Sequence, residues 1–129
     1  MIPKFRVWDK ETKYLDYDVR ITSTDKYEKV EVLDCFTDWI EIEDNDHVLM
    51  RNTGLKDKKG NEIYEGDICA YYYGDVAEYC EVKWSEKYST WMIEGDSDIE
   101  FLRDFAKHSV FEVVGNIYED PELLEEVEE

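Results

Sequence analysis

The stretch that decides the fold is Thr53–Cys69, TGLKDKKGNEIYEGDIC, where turn-forming residues are followed directly by strand-forming ones. Asp57 suits the first position of a type I turn, and Gly60 suits the fourth, where φ is often positive. Leu55 and Ile63 flank that turn and mark the strands on either side. The pattern therefore predicts a tight corner between two strands.

A second bend follows within the same stretch. Gly66 stands between Glu65 and Asp67 and lets the backbone turn sharply into DICAYYY, whose aromatic content and alternation predict a strand with one buried face. The glycines do not have the spacing of a phosphate-binding loop, and no helix is predicted to follow them. We interpret the whole stretch as structural, with a partner-binding loop as the alternative, because loops of β-rich domains often carry function.

Short strands are predicted on both sides of this corner. Before it, KFRVWDKETKYLDY predicts a hairpin, while YEKVEVLDCF and DWIEIEDND predict half-exposed strands with acidic outer faces. After it, YCEVKW and TWMIEG predict two more strands. Strands at such regular spacing are typical of a small barrel or sandwich. Residues 1–50 could form an N-terminal β-layer, with residues 51–129 as the barrel-like part.

One helix interrupts the β-pattern. Ser97 followed three residues later by Glu100 is a capping-box signature. The residues that follow place an apolar stripe at helical spacing, and we therefore predict a short helix over residues 98–107. The stripe consists of Ile99, Leu102, Phe105 and Ala106.

The last part of the chain predicts a strand and then a short helical turn. FEVVGNIY is interpreted as a strand with a bulge or turn at Gly115 and Asn116. Asp120 is predicted to cap the helical turn that follows. Pro121 would occupy its first position, where the missing N–H of proline costs no hydrogen bond.

The composition indicates a folded domain with an acidic surface. The 129 residues are 43% hydrophobic and 15% aromatic, which is enough apolar material for one core. The formal net charge of −19 repels nucleic-acid phosphates and attracts basic proteins, so we expect a protein partner and no direct nucleic-acid contact. The start lacks a basic and apolar leader, and no apolar run could span a bilayer. We therefore expect a cytoplasmic protein without a membrane contact.

The residues that catalysis would need are few. Cys35, Cys69 and Cys80 form no C-x-x-C pair, and reduced thiols, with Cys69 and Cys80 as small core residues, are the simplest interpretation. His47 and His108 lie in no recognisable catalytic motif. The acidic stretches EIEDNDH and EGDSDIE lack the spacing of a calcium loop. We therefore predict no catalytic, cofactor-binding or metal-binding residue, with a small metal-dependent enzyme as the alternative.

Three segments together resemble one known family. KFRVWDKE near the start, LMRNTGLKDKKGNEIYEGDIC in the middle and VFEVVGNIYEDPELL near the end resemble, in this order, the YopX family of phage and prophage proteins. The resemblance implies a single YopX-like domain over residues 1–129, mainly β, that contains a small SH3-like barrel. No catalytic or binding residue follows from it, because the family is known without an established activity. Eight residues are predicted to have a structural role in turns and bends: Asp57, Gly60, Glu65, Gly66, Asp67, Gly115, Asn116 and Pro121.

Two functions of different kinds are consistent with these observations. The leading hypothesis is a non-enzymatic accessory protein of a phage or prophage that binds another protein, or a second copy of itself, in the bacterial cytoplasm. It rests on the resemblance, the missing catalytic residues and the many aromatic residues. The alternative is a decoy that imitates the charge of DNA and occupies a basic host protein. A decoy should line its carboxylates along one face, whereas a merely soluble protein should scatter them.

Overall fold

The computed structural model describes residues 4–43, 45–95 and 99–125. The chain divides into two compact units, an N-terminal unit of residues 1–51 and a C-terminal unit of residues 52–129. One strand, β6, runs from the first unit into the second. The strands that begin in the N-terminal unit are β1 (Phe5–Asp9), β2 (Tyr14–Asp16), β3 (Val19–Ser23), β4 (Glu28–Leu33), β5 (Trp39–Ile42) and β6 (His47–Lys56).

The N-terminal unit opens with the predicted hairpin. Strand β1 pairs antiparallel with β2 on one side and with the first half of β6 on the other. The turn of the hairpin is fixed by Asp9, whose Oδ1 accepts the N–H groups of Glu11 at 2.9 Å and Thr12 at 3.2 Å. A short polar side chain that bonds its own following backbone in this way is a common device for starting a turn.

The other strands of this unit, β3, β4 and β5, form an antiparallel three-stranded sheet. The predicted acidic outer face is wrong for Glu31, which is only 6% exposed. Arg20, opposite it on β3, donates to both of its carboxylate oxygens at 3.0 and 3.1 Å, and Lys29 lies 3.7 Å away. The hydrogen bonds from Arg20 hold the pKa of Glu31 below its usual value. Alternation along a strand predicts the face on which a side chain lies. It does not reveal a cation on the neighbouring strand that covers that side chain.

The C-terminal unit is built on a five-stranded antiparallel sheet with the order β11-β10-β9-β8-β12. The mainly β fold is confirmed, and the SH3-like barrel stays a prediction. No helix among the described residues is long and apolar enough to cross a bilayer. The elements are β7 (Glu62–Tyr64), β8 (Asp67–Tyr73), β9 (Val76–Ser85), β10 (Thr90–Glu94), β11 (Ile99–Phe101), α1 (Leu102–Phe105), β12 (Phe111–Asn116) and a 3-10 helix (Pro121–Leu124).

One face of this sheet carries the core of the C-terminal unit. Cys69 pairs with Cys80 across β8 and β9, and Val82 pairs with Ile93 across β9 and β10, so these side chains share one face. Helix α1 adds Leu102 to the same cluster. Both cysteines are therefore small core residues, as predicted. The buried cluster consists of Ile63, Cys69, Cys80, Val82, Ile93, Leu102, Ala106 and Phe111.

The prediction of a helix over residues 98–107 is wrong in its bounds. Residues Ile99–Phe101 form β11 and pair with β10, so their backbone groups are satisfied within the sheet. Among residues 99–107, only Leu102–Phe105 are helical, closed by the bond from the Ala106 N–H to the Leu102 carbonyl at 2.9 Å. Asp98, and Ser97 of the expected capping box, lie outside the described residues. Pairing with a distant strand outweighed a local helical pattern, as tertiary context often does.

The end of the chain contains the predicted irregularity at Gly115, whereas the predicted capping role of Asp120 is wrong. The register between β12 and β8 shifts between Val113 and Gly115, which is the signature of a bulge. The 3-10 helix begins at Pro121, but Asp120 does not cap it with its side chain. Instead, the Asp120 carboxylate accepts the N–H of Asn116 at 3.3 Å. A β-carbon added at Gly115 would lie 2.8 Å from the Cγ of Asp120, so this glycine is needed for space.

We predict that Gly115→Ala destabilises the protein by roughly 1–3 kcal/mol, because the new methyl group overlaps the Asp120 carboxylate. Chemical denaturation of the wild type, Gly115→Ala, Asp120→Ala and the double variant would measure the effect as a double-mutant cycle. The cost of Gly115→Ala should be smaller in the Asp120→Ala background. An equal cost in both backgrounds would show that Asp120 is not the residue in the way.

Candidate functional site

The corner formed by residues 57–61 is held by a single carboxylate. Asp57 Oδ1 accepts the N–H groups of Lys59 at 3.0 Å and Asn61 at 2.9 Å. Its Oδ2 accepts the side-chain amide of Asn61 at 3.1 Å and the N–H of Val113 in β12 at 3.0 Å. Gly60, with a φ of 88°, donates its N–H to the Asp57 carbonyl at 3.0 Å. Asp57 and Gly60 therefore occupy the first and fourth positions of a β-turn.

Asp57 remains charged although it is only 5% exposed. Burial by itself raises the pKa of a carboxyl group. The hydrogen bonds from Val113, Asn61 and Lys59 outweigh that effect and leave the pKa of Asp57 below its usual value of 3.8. All four contacts use the carboxylate as an acceptor, so the arrangement leaves it bound to the chain's own backbone and to the Asn61 amide.

The second bend, at Glu65 and Gly66, connects β7 to β8. Gly66 has a φ of 84°, donates its N–H to the Val82 carbonyl at 3.0 Å and accepts the N–H of Ile117 at 2.9 Å. Asp67 is 1% exposed, and its Oδ2 accepts the Tyr64 N–H at 2.7 Å. These contacts place the bend between β9 and the end of β12.

The last of the predicted structural residues lie at the other end of the chain. Asn116 pairs with Asp67 across β12 and β8. Its Oδ1 accepts the N–H groups of Tyr118 at 3.0 Å and Glu119 at 2.9 Å, and its amide donates to the Glu119 carboxylate at 2.9 Å. Pro121 follows as the first residue of the 3-10 helix. The structure thus brings Asp67 and Asn116 together as strand partners, and none of the eight residues lines the concave site described next.

A concave site lies elsewhere, at the end of the core face of the five-stranded sheet. Its cavity volume is about 80 Å³. Its lining consists of Tyr71, Tyr73, Glu78, Tyr79, Cys80, Ile93, Gly95, Glu100 and Phe105. We call this site the aromatic pocket.

Aromatic rings form the walls of the aromatic pocket. The ring of Tyr71 lies 4.6 Å from that of Tyr73, inclined by 57°, and 5.3 Å from that of Phe105 in an edge-to-face arrangement. His108 packs behind them, with its ring centre 5.9 Å from Tyr71. Such tilted and edge-to-face pairs are the favoured geometries of aromatic side chains and hold one another in place.

Two carboxylates and one buried thiol complete the aromatic pocket. Glu78 lies opposite Tyr71 across β9 and β8, and Glu100 lies opposite Ile93 across β11 and β10. Both glutamates are exposed, whereas Cys80 is buried. Burial, together with the nearby charge of Glu78, raises the pKa of Cys80 to about 12, so its thiol stays protonated and unreactive at neutral pH.

The sequence does not predict this pocket. Its alternation predicts Tyr71–Tyr73 as part of a strand, and its capping-box pattern places Glu100 in a helix, although Glu100 belongs to β11. The signal that could have found the pocket is the alternation of Tyr71, Tyr73 and Glu78 about the tight Gly74–Asp75 turn. That alternation places the three side chains on one face of a hairpin.

The two histidines lie in different parts of the chain and contact different residues. His47 Nε2 lies 3.4 Å from Asp9 Oδ2 at the end of β6. His108 follows α1, and its backbone N–H donates to the Phe105 carbonyl at 2.9 Å. Within residues 4–43, 45–95 and 99–125, no group of three or more His, Cys, Asp and Glu side chains is arranged to hold a metal ion.

These features define a small, mainly β protein with an acidic aromatic pocket. The chain belongs to the YopX protein family, whose model matches residues 4–125. No curated protein matches the chain.

Two crystal structures of similar proteins have the same fold. Protein EF1440 from Enterococcus faecalis is 27% identical, with a TM-score of 0.66, and the match covers 97% of this chain and 99% of that protein. Protein yopX from Bacillus subtilis is 20% identical, also with a TM-score of 0.66, and the match covers 95% of this chain and 98% of that one. The similarity to yopX supports the fold alone.

Replacing Asp57 by alanine should lower the free energy of unfolding by roughly 2–4 kcal/mol, because the N–H groups that donate to its carboxylate lose their hydrogen-bond acceptor. Asp75→Ala, at an exposed position in the β8–β9 turn, is the matched control. Urea denaturation at neutral pH measures both. A loss for Asp57→Ala no larger than that for Asp75→Ala would show that the carboxylate is dispensable.

The stability contributed by Asp57 should also depend on pH. Since the pKa of Asp57 is lower in the folded protein than its usual value of 3.8, its ionised form stabilises the folded state. That contribution is complete above pH 3.8 and is lost as the pH falls through the lower, folded-state pKa. Unfolding free energies measured between neutral and strongly acidic pH should therefore fall less steeply for Asp57→Ala than for the wild type. Parallel curves would contradict this.

Of the three cysteines, only Cys35 should react quickly with a thiol reagent in the native protein. Cys35 is exposed, whereas Cys69 and Cys80 are buried, and burial raises the pKa of both of the latter thiols. Labelling with Ellman's reagent at mildly alkaline pH should give one fast equivalent, and three in denaturant. Cys35→Ser should abolish the fast phase. A fast phase that survives this substitution would show that a core thiol is accessible.

Proposed function

We propose that this protein is a non-enzymatic module, encoded by a phage or prophage, that binds a basic partner protein in the bacterial cytoplasm. The observation that carries the proposal is the end of the β8–β9 hairpin beside the aromatic pocket. There Tyr72 is 37% exposed, Tyr73 55% and Val76 65%. Tyrosine buries a large area at low entropic cost and is enriched where proteins bind one another.

The charge of the chain supports a basic partner. A formal net charge of −19 creates a field that attracts cationic proteins and accelerates their encounter. Part of the acidic set is neutralised within the fold, since Lys59 pairs with Glu112, and Lys83 lies 2.9 Å from Glu94. Glu78 and Glu100, at the aromatic pocket, form no ion pair within the described part of the chain. Their charge is therefore available to a partner.

Three groups of the described residues, the two core thiols and the Asp57 carboxylate, are not activated for catalysis, and this fits a binding role. Both core thiols have raised pKa values because they are buried. The carboxylate of Asp57 is occupied by four hydrogen bonds from the chain itself. A catalytic group needs a pKa matched to its task and access to a substrate, and these three groups lack one or the other.

Affinity capture from a bacterial lysate, followed by reconstitution with each captured protein after purification, tests this proposal. We expect at least one basic protein to form a saturable complex in calorimetry. Tyr73→Ala should weaken that complex, because it removes an exposed ring at the hairpin end. Tyr27→Ala is the matched control, since Tyr27 is similarly exposed, at 53%, but lies in the N-terminal unit.

Three results would overturn the proposal. The first is that no captured protein forms a saturable complex after purification. The second is that Tyr27→Ala weakens the complex as much as Tyr73→Ala. The third is a complex that is lost at high salt, is unaffected by Tyr73→Ala and displaces DNA from a basic protein. This is the behaviour of a charge decoy.

A further inference from the structure

We infer that the aromatic pocket binds one cationic side chain, arginine or lysine, of the partner. This inference rests on the proposed function, because it names the chemical group that the site would recognise. The pocket combines tyrosine and phenylalanine rings with two carboxylates at a concave end of the sheet. Aromatic faces attract cations through their negative charge distribution, and carboxylates accept the N–H donors of guanidinium and ammonium groups.

The strand register places these groups around one space. Glu78 pairs with Tyr71, and Tyr73 follows two residues later on the same face of β8. Glu100 comes from β11, on the far side of β10 from Glu78, and pairs with Ile93. The two carboxylates therefore reach the pocket from two different strands, which lie on either side of β10. A long side chain with an apolar stem and a cationic end matches this distribution.

The described part of the lining does not compensate the negative charge of the pocket. None of these nine described residues carries a positive charge at neutral pH. An anionic ligand would be repelled by Glu78 and Glu100. A neutral aliphatic side chain would use the rings but leave both carboxylates without a donor.

A second concave surface of the same unit shows what sets the aromatic pocket apart. It is a wider groove on the opposite face of the sheet, and Met92 and Phe101 give it an apolar floor. Lys83 and Lys87 also line it, and Lys83 pairs there with Glu94. That groove therefore has its own cations. Of the two surfaces, the aromatic pocket is the one with unpaired negative charge against aromatic walls.

Short peptides whose central residue differs only in charge can test the inference. The probes are acetylated and amidated Gly-Arg-Gly and Gly-Lys-Gly, with the neutral analogues that contain citrulline in place of arginine and norleucine in place of lysine. Titration into the full-length protein, followed by amide NMR, should give saturable shifts at Tyr71, Tyr73, Glu78 and Gly95 with at least one cationic probe. Each neutral analogue should bind roughly fivefold more weakly than its cationic counterpart, or not at all, because it cannot form the solvent-exposed charge interaction.

Pocket variants locate the binding. Glu78→Gln and Glu100→Gln should each lower the affinity for the cationic probe by roughly two- to fivefold, as expected for the loss of an exposed ion pair. Glu86→Gln is the matched control, because Glu86 is exposed in the β9–β10 turn and does not line the pocket. Amide spectra of each variant report whether its fold is intact.

Equal affinity for arginine and citrulline, and likewise for lysine and norleucine, would overturn the inference. So would shifts that cluster away from the aromatic pocket, or a loss with Glu86→Gln as large as with Glu78→Gln. If the peptides fail but a basic protein still forms a Tyr73-dependent complex, this inference falls and the proposed function stands. If no partner binds at all, the proposed function falls with it.

Discussion

The C-terminal unit depends on the contact between the Asp57 carboxylate and the N–H of Val113, two groups that are 56 residues apart in the chain. The same carboxylate closes the 57–61 turn by accepting Lys59 and Asn61. One buried charge therefore ties the β6–β7 corner to β12 at the place where the bulge disturbs the ladder between β12 and β8. Val113 is the last residue in register, with Cys69, before that shift, and its N–H donates to the carboxylate. A neutral side chain could not satisfy so many donors at once.

The anchored corner joins β6 to β7 of the four-stranded sheet, whereas the aromatic pocket lies on the five-stranded sheet. Along its core face, Cys69, Cys80 and Val82 pack against α1 and Phe111. Toward the β8–β9 turn, the same face continues with Tyr71, Tyr73 and Glu78. The core face thus continues into the aromatic pocket without a change of strand, because period-two alternation continues past the point where covering elements end. Substitutions at the exposed glutamates leave the packed cluster untouched, so they should not lower stability.

The sequence predicted the parts of this fold that depend on neighbouring residues. The Asp57–Gly60 turn, the Gly66 bend and the strands around them follow from local turn chemistry and alternation. The errors concern contacts between distant residues. Ile99–Phe101 are strand because β10 pairs with them, and Glu31 is buried because Arg20 covers it from another strand. The aromatic pocket is not predicted for the same reason, since its lining comes from five separate elements. Local alternation places only the β8–β9 part of that lining on one face.

The net charge of the chain and the charge of its pocket have different physical consequences. A charge of −19 acts at long range, where salt screens it beyond roughly 8 Å at physiological ionic strength. It can accelerate the approach of any basic protein, but it cannot distinguish among them. Glu78 and Glu100 act at contact distance beside aromatic rings, where the shape of the ligand matters as well as its charge. Specificity should therefore come from the pocket, whereas the overall acidity should govern the rate of encounter.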